Sequence, residues 1–490
     1  MSNPSENNIG ETKPCRFSAP TSKWVRFGIW GFITILFAIW TSSGWWLLAL
    51  PFFLDLYITR LLPWSFWKKS KNKTFRSIMD WVDAIVFALA AVYIINIYFF
   101  QNYQIPSSSL EKSLLVGDFL FVSKMSYGPR VPNTPLAFPL AQHTLPIINT
   151  KSYLEKPHWN YKRVPGFGKI KRNDIVVFNF PAGDTVPVNY QNPDYYTTCY
   201  LIAKQNNVTT VEAGQYIRSH PETFGKVLYR PVDRRENYVK RCIGLPGETL
   251  KIVNNQVFIN GKAIMDQPGV QYNYFVQTKG GQIAEEQFRE WGVSNEDHYM
   301  ITQDNALISL LPFKKNANGS YNPIYHFPAT KELIQTIRKS SAIEKVIIEP
   351  DAVGNYDIGG TTYPLNDRFT WKRDNFGPLW IPAKGATIRL TPDNLILYGR
   401  VIRNYEGQKL DIRNGVAYIN GKKVDKYTFT MDYYWMMGDN RHNSADSRAW
   451  GFVPEDHVVG KPICVWLSLD KDRSLFDGKI RWNRFFKKAY

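Results

Sequence analysis

Residues 249–262 read TLKIVNNQVFINGK. Val, Ile and Phe alternate with Thr, Lys and Gln, and Asn and Gly bound the runs, the pattern of short strands joined by tight turns. The stretch has an echo. Leu250, Ile252, Asn254, Ile259, Asn260, Gly261 and Lys262 recur in register as Leu410, Ile412, Asn414, Ile419, Asn420, Gly421 and Lys422. The shared Asn-Gly pair is the signal of a type I′ hairpin, which needs positive φ at both central residues. Two similar hairpins flanking an inserted lobe from about 265 to 408 account for the echo, and convergent turn chemistry accounts for it equally well. Two copies do not make a solenoid.

Working outward, DIVVFNF at 174–180 and ATIRLTPDNLILY at 386–398 have the same β-branched and aromatic character and are read as strands. Helical periodicity is clear only over 330–346. The Pro-rich stretches 128–165 and 181–231 are read as loop elaborations. The expected body is mainly β and antiparallel, without parallel βαβ units. At 490 residues the chain has room for roughly three units of about 150. Lys plus Arg number 60 against 42 Asp plus Glu, a balance of +18, while charged residues make up only 21%. That share lies below the usual value of about 25%, so the positive balance reflects scarce acids as well as abundant bases. A hydrophobic share of 44% excludes a disordered or collagen-like chain. A mean hydropathy of −0.31 excludes a protein made mostly of membrane spans.

A few spans are nonetheless expected near the start. Trp24 to Trp40 makes a helix of about 25 Å, just short of a hydrocarbon core of roughly 30 Å. Trp45 to Thr59 is shorter, so 24–62 is either a two-span hairpin or one tilted helix with a tail. The cleanest span runs from Trp81 to Phe100, with aromatic residues at both ends. Arg60, Lys68, Lys69, Lys71, Lys73 and Arg76 lie between these regions with no acid among them, which places that loop in the cytoplasm and the chain after Phe100 outside it. Lys13, Arg16, Lys23 and Arg26 also favour a cytoplasmic start, which requires the hairpin. The segments are read as permanent anchors rather than a cleaved signal. The implied division is a tail (1–23), one or two helices (24–62), a basic loop (63–79), a span (80–101), a β domain with loop insertions (102–264), the lobe (265–408) and a return to the β domain (409–490). Cys15, Cys199, Cys242 and Cys464 show no CxxC spacing, so neither zinc nor a redox motif is indicated, and their pairing stays open.

Three elements carry chemistry. Gln104 to Leu110 reads QIPSSSL, just past the last span, and is followed by GDFLFV at 117–122. Tyr238 to Glu248 reads YVKRCIGLPGE. On a strand Lys240 and Arg241 point to opposite sides, one toward the core and its neighbour toward solvent. Desolvation disfavours an ammonium, which is how a lysine becomes a base near neutral pH. Gly438 to Pro454 reads GDNRHNSADSRAWGFVP, a loop crowded with small polar and charged groups after an aromatic strand.

In this order, with KRNDIVVF at 171–178 between the first two, the elements resemble the bacterial type I signal peptidases, membrane-bound serine proteases with a Ser-Lys dyad. The resemblance covers about a quarter of the chain. It implies a membrane-anchored protein whose N-terminal transmembrane helices precede an antiparallel β-rich catalytic body with an inserted second lobe. It implies Ser109 as nucleophile, Lys240 as general base, and Ser107 with the Ser109 backbone N–H as oxyanion hole. Ser444 matches the residue that orients the lysine. Ile105, Leu110, Leu114, Tyr238 and Val239 match positions of shallow apolar pockets. Asp439, Arg441, Asp446 and Arg448 match positions that support the loop. The implied substrates are signal peptides of exported preproteins, cut after small residues. The implied setting is the bacterial inner membrane, multi-pass, with the catalytic domain on the extracytoplasmic side, in company with the lipid bilayer and the export machinery. No metal, organic cofactor or nucleic acid is expected, since the seven histidines lack HExxH or comparable spacing and the bases are dispersed.

Two departures stand out. Leu110-Glu111-Lys112-Ser113 replaces the family's usual Met followed by Pro-Thr. His442 stands where many relatives carry an acid, which opens a rival triad of Ser109 or Ser444 with His442 and Asp446, against the alternative of a solvent-facing loop histidine. A non-enzymatic membrane-anchored β scaffold, or an inactive relative, is the alternative of a different class.

Overall fold

The computed structural model describes residues 19–301, 306–353, 356–357 and 361–489. Lys13, Cys15 and Arg16, and most of the expected N-terminal tail, lie outside these residues. The chain divides into two compact units, one running to Ile95 with Arg163–Pro165, the other comprising the rest.

In the first unit, helix Thr21–Thr41 ends on Ser42 in the left-handed conformation, and a shorter helical run, 44–59, follows. The two pack together, with Trp30 stacked on Phe53 at 5.5 Å. Helix Lys73–Tyr98 starts eight residues ahead of the expected Trp81, because the Asn72 side chain accepts the Phe75 backbone N–H and opens the helix early. Thr21–Thr41 and Lys73–Tyr98 are long and apolar enough to cross a membrane, while 44–59 is shorter.

The second unit is mainly β, and every named strand pair is antiparallel among the described residues. Its largest sheet runs in the order Phe100–Gln104, Asp118–Ser123, Val458–Ser468, Ile175–Asn179, Asn237–Gly244, Tyr433–Met437, Val453–Pro454, with Lys487–Lys488 also paired to Val458–Ser468. Strand Asn237–Gly244 is central. Its Lys240 lies opposite Val176, and its Arg241 lies between Ile175 and Met437.

The two echoing segments both fold as hairpins, with Leu250 opposite Ile259 and Leu410 opposite Ile419. Asn260 and Gly261, and likewise Asn420 and Gly421, have positive φ at both turn positions, as a type I′ turn requires. Strand Phe376–Trp380 pairs with Thr249–Val253. A separate four-stranded sheet, Tyr299–Ile301, Ile324–Thr330, Gln271–Thr278 and Ile343–Ile348, packs its own core around Phe288, Phe327, Ile334 and Ile337.

Three readings need correction. ATIRLTPDNLILY is a strand only over Thr387–Arg389; from Pro392 to Arg400 it is a helix, with Thr391 accepting the Asn394 N–H and Pro at the first turn. The helix expected over 330–346 stops at Lys339, and β-branched Ile343 to Ile348 joins the sheet beside Gln271–Thr278. The region 181–231 is not only loop. Helices Tyr195–Asn206 and Thr210–Ser219 lie within it, capped by Asp194 and by a Thr209/Glu212 capping box.

Candidate active site

The central sheet brings the three chemical elements to one place. Ser109 sits in a tight turn, Ser108–Leu110, between the two strands at one end of the sheet. Lys240 comes from the central strand, and the loop that begins at Gly438 leaves the strand beside it. Lys240 Nζ donates to Ser109 Oγ at 2.7 Å, and both residues are buried, at 5% and 7% exposure. Burial lowers the Lys240 amine from the usual 10.5 to about 8, against the opposing pull of the Asp446 and Asp439 carboxylates. The Ser107 hydroxyl lies 3.4 Å from the Ser109 hydroxyl.

The loop after Gly438 clamps the serine turn. Asn440 donates its backbone N–H to the Ser109 carbonyl at 3.1 Å and its side-chain amide to the Ser108 carbonyl at 3.3 Å. Gly438 is required by close approach. A Cβ at that position meets the Ser109 carbonyl oxygen at 2.6 Å and the Ser444 hydroxyl closer still. The Ser444 hydroxyl is buried there and bonds nothing among the described residues.

Charged pairs hold the loop from below. Asp439 receives Arg241 on both oxygens, at 2.8 and 2.7 Å, and also the Ser113 hydroxyl at 2.5 Å. Asp446 receives Arg448 on both oxygens, at 2.9 and 2.7 Å, and the Gly438 backbone N–H at 3.0 Å. Burial pushes the Asp446 carboxyl up, and Arg448 with these donors pulls it below the usual carboxylate range. Arg441 lies 3.4 Å from Asp266 and donates to the Gly438 carbonyl. The expectation that one of Lys240 and Arg241 meets solvent fails: both are buried, because Asp439 supplies Arg241 with a partner inside the protein.

His442 is not a solvent-facing residue, since its side chain has no exposed surface. Its Nδ1 accepts the Asn273 N–H at 3.2 Å, and its Nε2 lies 3.2 Å from both Asp374 and Asn255. Burial lowers its pKa even against the Asp374 carboxylate. Both ring nitrogens are thus committed away from Ser109 and Ser444, and Asp446 is committed to Arg448, so the rival triad is not assembled.

Among the matched apolar positions, Ile105, Leu110, Leu114 and Val239 pack in one cluster. Leu110 and Leu114 are fully buried. Tyr238 packs in a neighbouring cluster, stacked on Phe180 at 4.5 Å. The departing segment has its own anchors. Lys112 donates to the Trp291 and Gly292 carbonyls at 2.7 and 2.8 Å, and Ser108 donates to Asp297 at 3.1 Å. Burial raises the Glu111 carboxyl to about 7.

Sequence reasoning missed the clamp residue Asn440, the close-approach glycine Gly438 and the tether Asp297. The first two lie inside the quoted loop and were open to notice, whereas Asp297 stands in a stretch with no motif. Cys199, Cys242 and Cys464 carry free thiols.

A buried serine hydroxyl bonded to a lysine amine, on an antiparallel β body, places the chain in the class of serine peptidases. The family model described as signal peptidase, peptidase S26, matches residues 78–310 and 426–467. The chain belongs to this signal peptidase family and is a serine endopeptidase of the kind that removes signal peptides. It is similar to signal peptidase I of Buchnera aphidicola subsp. Acyrthosiphon pisum, at 25% identity over 426 residues, 85% of this chain and 83% of that protein. A shorter match, 49% identical over 66 residues, covers 14% of this chain and 19% of signal peptidase I of Haemophilus influenzae. Signal peptidase I of Helicobacter pylori matches at 36% over 91 residues, 17% of this chain and 31% of that protein.

Proposed function

We propose that the chain cleaves signal peptides from exported preproteins at the outer face of the bacterial cytoplasmic membrane, with Ser109 as nucleophile and Lys240 as general base. The 2.7 Å contact between Lys240 Nζ and Ser109 Oγ carries this reading. The neutral amine takes the hydroxyl proton as Ser109 attacks the scissile carbonyl, and the resulting ammonium returns it to the leaving amine. Water activated by the same amine then hydrolyses the acyl-enzyme. The Ser109 backbone N–H and the Ser107 hydroxyl receive the oxyanion, and losing one such donor typically costs about 2.7 to 4 kcal/mol of transition-state stabilisation. The pairs Asp439–Arg241 and Asp446–Arg448, with Arg441, hold the loop that carries Ser444, whose hydroxyl makes no hydrogen bond to Lys240 among the described residues, so the orienting role that the resemblance implies for it requires a movement of that side chain or loop. Small side chains preceding the cut bond dock against Ile105, Leu110, Leu114, Tyr238 and Val239. Because Leu110 and Leu114 are fully buried, docking there requires the cluster to open.

The helices Thr21–Thr41 and Lys73–Tyr98 anchor the protein, in keeping with large apolar side chains left open to the surroundings, such as Phe87 at 74% exposure. Ser109 follows Phe100 by nine residues, a reach of no more than about 30 Å for extended chain. A signal peptide carries its small-residue site just past an apolar segment, so its cut bond lies near the same lipid surface. Cleavage of a model preprotein in bilayers by the wild-type, Ser109→Ala and Lys240→Ala proteins tests the reading. Both variants are expected to leave the preprotein uncut, and full activity in either contradicts the assignment.

A further inference from the structure

Residues 291–297 leave the core of the four-stranded sheet and reach the serine turn. Phe288 anchors the near end of this segment, buried against Tyr325 and Phe327, with its ring stacked on His298 at 3.9 Å. Val293 is buried in the same core and donates its backbone N–H to the Phe288 carbonyl at 2.8 Å. Asp297 is fixed at the far end. One of its carboxylate oxygens accepts the Ser294 hydroxyl at 2.7 Å, and its backbone N–H goes to the Ser294 carbonyl at 3.0 Å. The segment is a post rooted in a packed core.

The post grips the turn on both sides of the nucleophile. One residue before Ser109, the Ser108 hydroxyl donates to the other Asp297 oxygen at 3.1 Å. Three residues after it, Lys112 Nζ donates at 2.7 and 2.8 Å to the Trp291 and Gly292 carbonyls, which lie just past helix Glu285–Glu290. Lys112 also has a φ of +72°, a left-handed conformation that persists in a residue other than glycine only where the surroundings fix it. The Nζ bonds on one side, and Ser113 bonded to Asp439 on the other, supply that fixing. The same sheet reaches the other half of the site. Gln271 donates its N–H to the Asp439 carbonyl at 2.8 Å and accepts the Arg441 N–H at 2.9 Å. Asn273 exchanges side-chain amide bonds with Asn443, each 3.0 Å. One sheet therefore holds both the serine turn and the loop that starts at Gly438.

We infer, resting on Ser109 as nucleophile and Lys240 as base, that Asp297 and Lys112 are positioning residues for the cleavage reaction, holding the serine turn so that the Ser109 hydroxyl faces the lysine amine. Neither touches the reacting atoms. Asp297 acts through Ser108, and Lys112 acts through its own left-handed backbone. Misplacing a reacting group by about 1 Å costs about a hundredfold in rate, so losing either grip shows in turnover rather than in substrate affinity.

The test uses the full chain in lipid nanodiscs at pH 8 and measures kcat and KM for a peptide with a small-residue cleavage site, together with the unfolding midpoint. Asp297→Ala and Lys112→Met are each expected to lower kcat at least about tenfold, with KM changed less than about threefold. Asp297→Asn keeps the acceptor and Lys112→Arg keeps the donors, so both are expected to recover kcat to within about threefold of the wild type. Ser108→Ala is expected to match Asp297→Ala, and the double variant to be no slower than either, because both remove one bond. Ile337→Val loosens the core of the same sheet and is expected to lower the unfolding midpoint with kcat unchanged, which separates positioning from stability. If Asp297→Ala does not fold, Ser108→Ala and Asp297→Asn carry the test. Lys240→Ala is measured beside them and is expected to be inactive. With Lys240→Ala inactive, wild-type kcat in Ser108→Ala and Lys112→Met, or a double variant as slow as the product of the two single losses, overturns the positioning role and leaves the dyad standing. Full activity in Lys240→Ala overturns the dyad, and the positioning role with it.

Discussion

The Lys240 amine sets a pH dependence that can be worked out in advance. With its pKa held near 8, about 9% of the amine is neutral at pH 7, about half at pH 8 and about 91% at pH 9. An ordinary lysine at 10.5 is neutral at pH 7 in only about 0.03% of molecules, so burial raises the supply of base roughly 300-fold. On this account kcat/KM for a peptide with a small-residue cleavage site rises about tenfold from pH 7 to pH 9, with one ascending limb centred near 8. Glu111, raised to about 7, titrates in the same window, so the profile is also measured in Glu111→Gln, where the limb is expected to stay near 8.

The same shift is a statement about stability. Below pH 8 the amine is protonated in both native and unfolded chains, and the native state bears the full cost of the buried charge. Between pH 8 and 10.5 the unfolded chain keeps a proton that the native chain has lost, so stability rises with pH through that window. A shift from 10.5 to about 8 corresponds to about 3 kcal/mol, and Lys240→Met is expected to gain stability of that order at pH 7 while losing activity. An ascending limb above 10, a limb that moves with Glu111→Gln, or a Lys240→Met protein less stable than the wild type at pH 7 would contradict a buried, readily deprotonated Lys240 amine.

Other perturbations follow from the same geometry. Gly438→Ala places a methyl group 2.6 Å from the Ser109 carbonyl and is expected to lower kcat about a hundredfold by displacing the nucleophile, checked by steady-state kinetics. Asp439→Ala leaves Arg241 buried without its partner and is expected to cost about 3 to 5 kcal/mol, read from denaturant unfolding. His442→Ala removes a buried bracket to Asp374 and Asn273, so it is expected to lower the unfolding midpoint yet keep the ascending limb near pH 8. Movement of that limb in His442→Ala would restore the histidine as base.

What the sequence made legible was local. The paired hairpins follow from Asn and Gly at turn positions that need positive φ, and both turns are present. The apolar helices follow from composition over twenty residues or so, although Asn72 moved one start point by a capping bond. What stayed hidden depended on distant partners. Arg241 is buried because Asp439, far along the chain, receives it, and His442 is buried because Asp374 and Asn255 do the same. No period or motif near either residue announces such a partner. The helix Pro392–Arg400 was masked for a different reason. Leu395, Ile396, Leu397 and Tyr398 form a short apolar run that fits strand and helix alike, and the Thr391-Pro392 start signal decides between them.

Acylation of Ser109 with the help of Lys240 is open to direct mapping of the acyl-enzyme. The full-length protein is treated with a serine-directed β-lactam-like probe at pH 8, digested and sequenced by mass spectrometry. One adduct is expected, on Ser109, absent from Lys240→Ala. An adduct on Ser107 or Ser444 instead, or an undiminished adduct in Lys240→Ala, contradicts it.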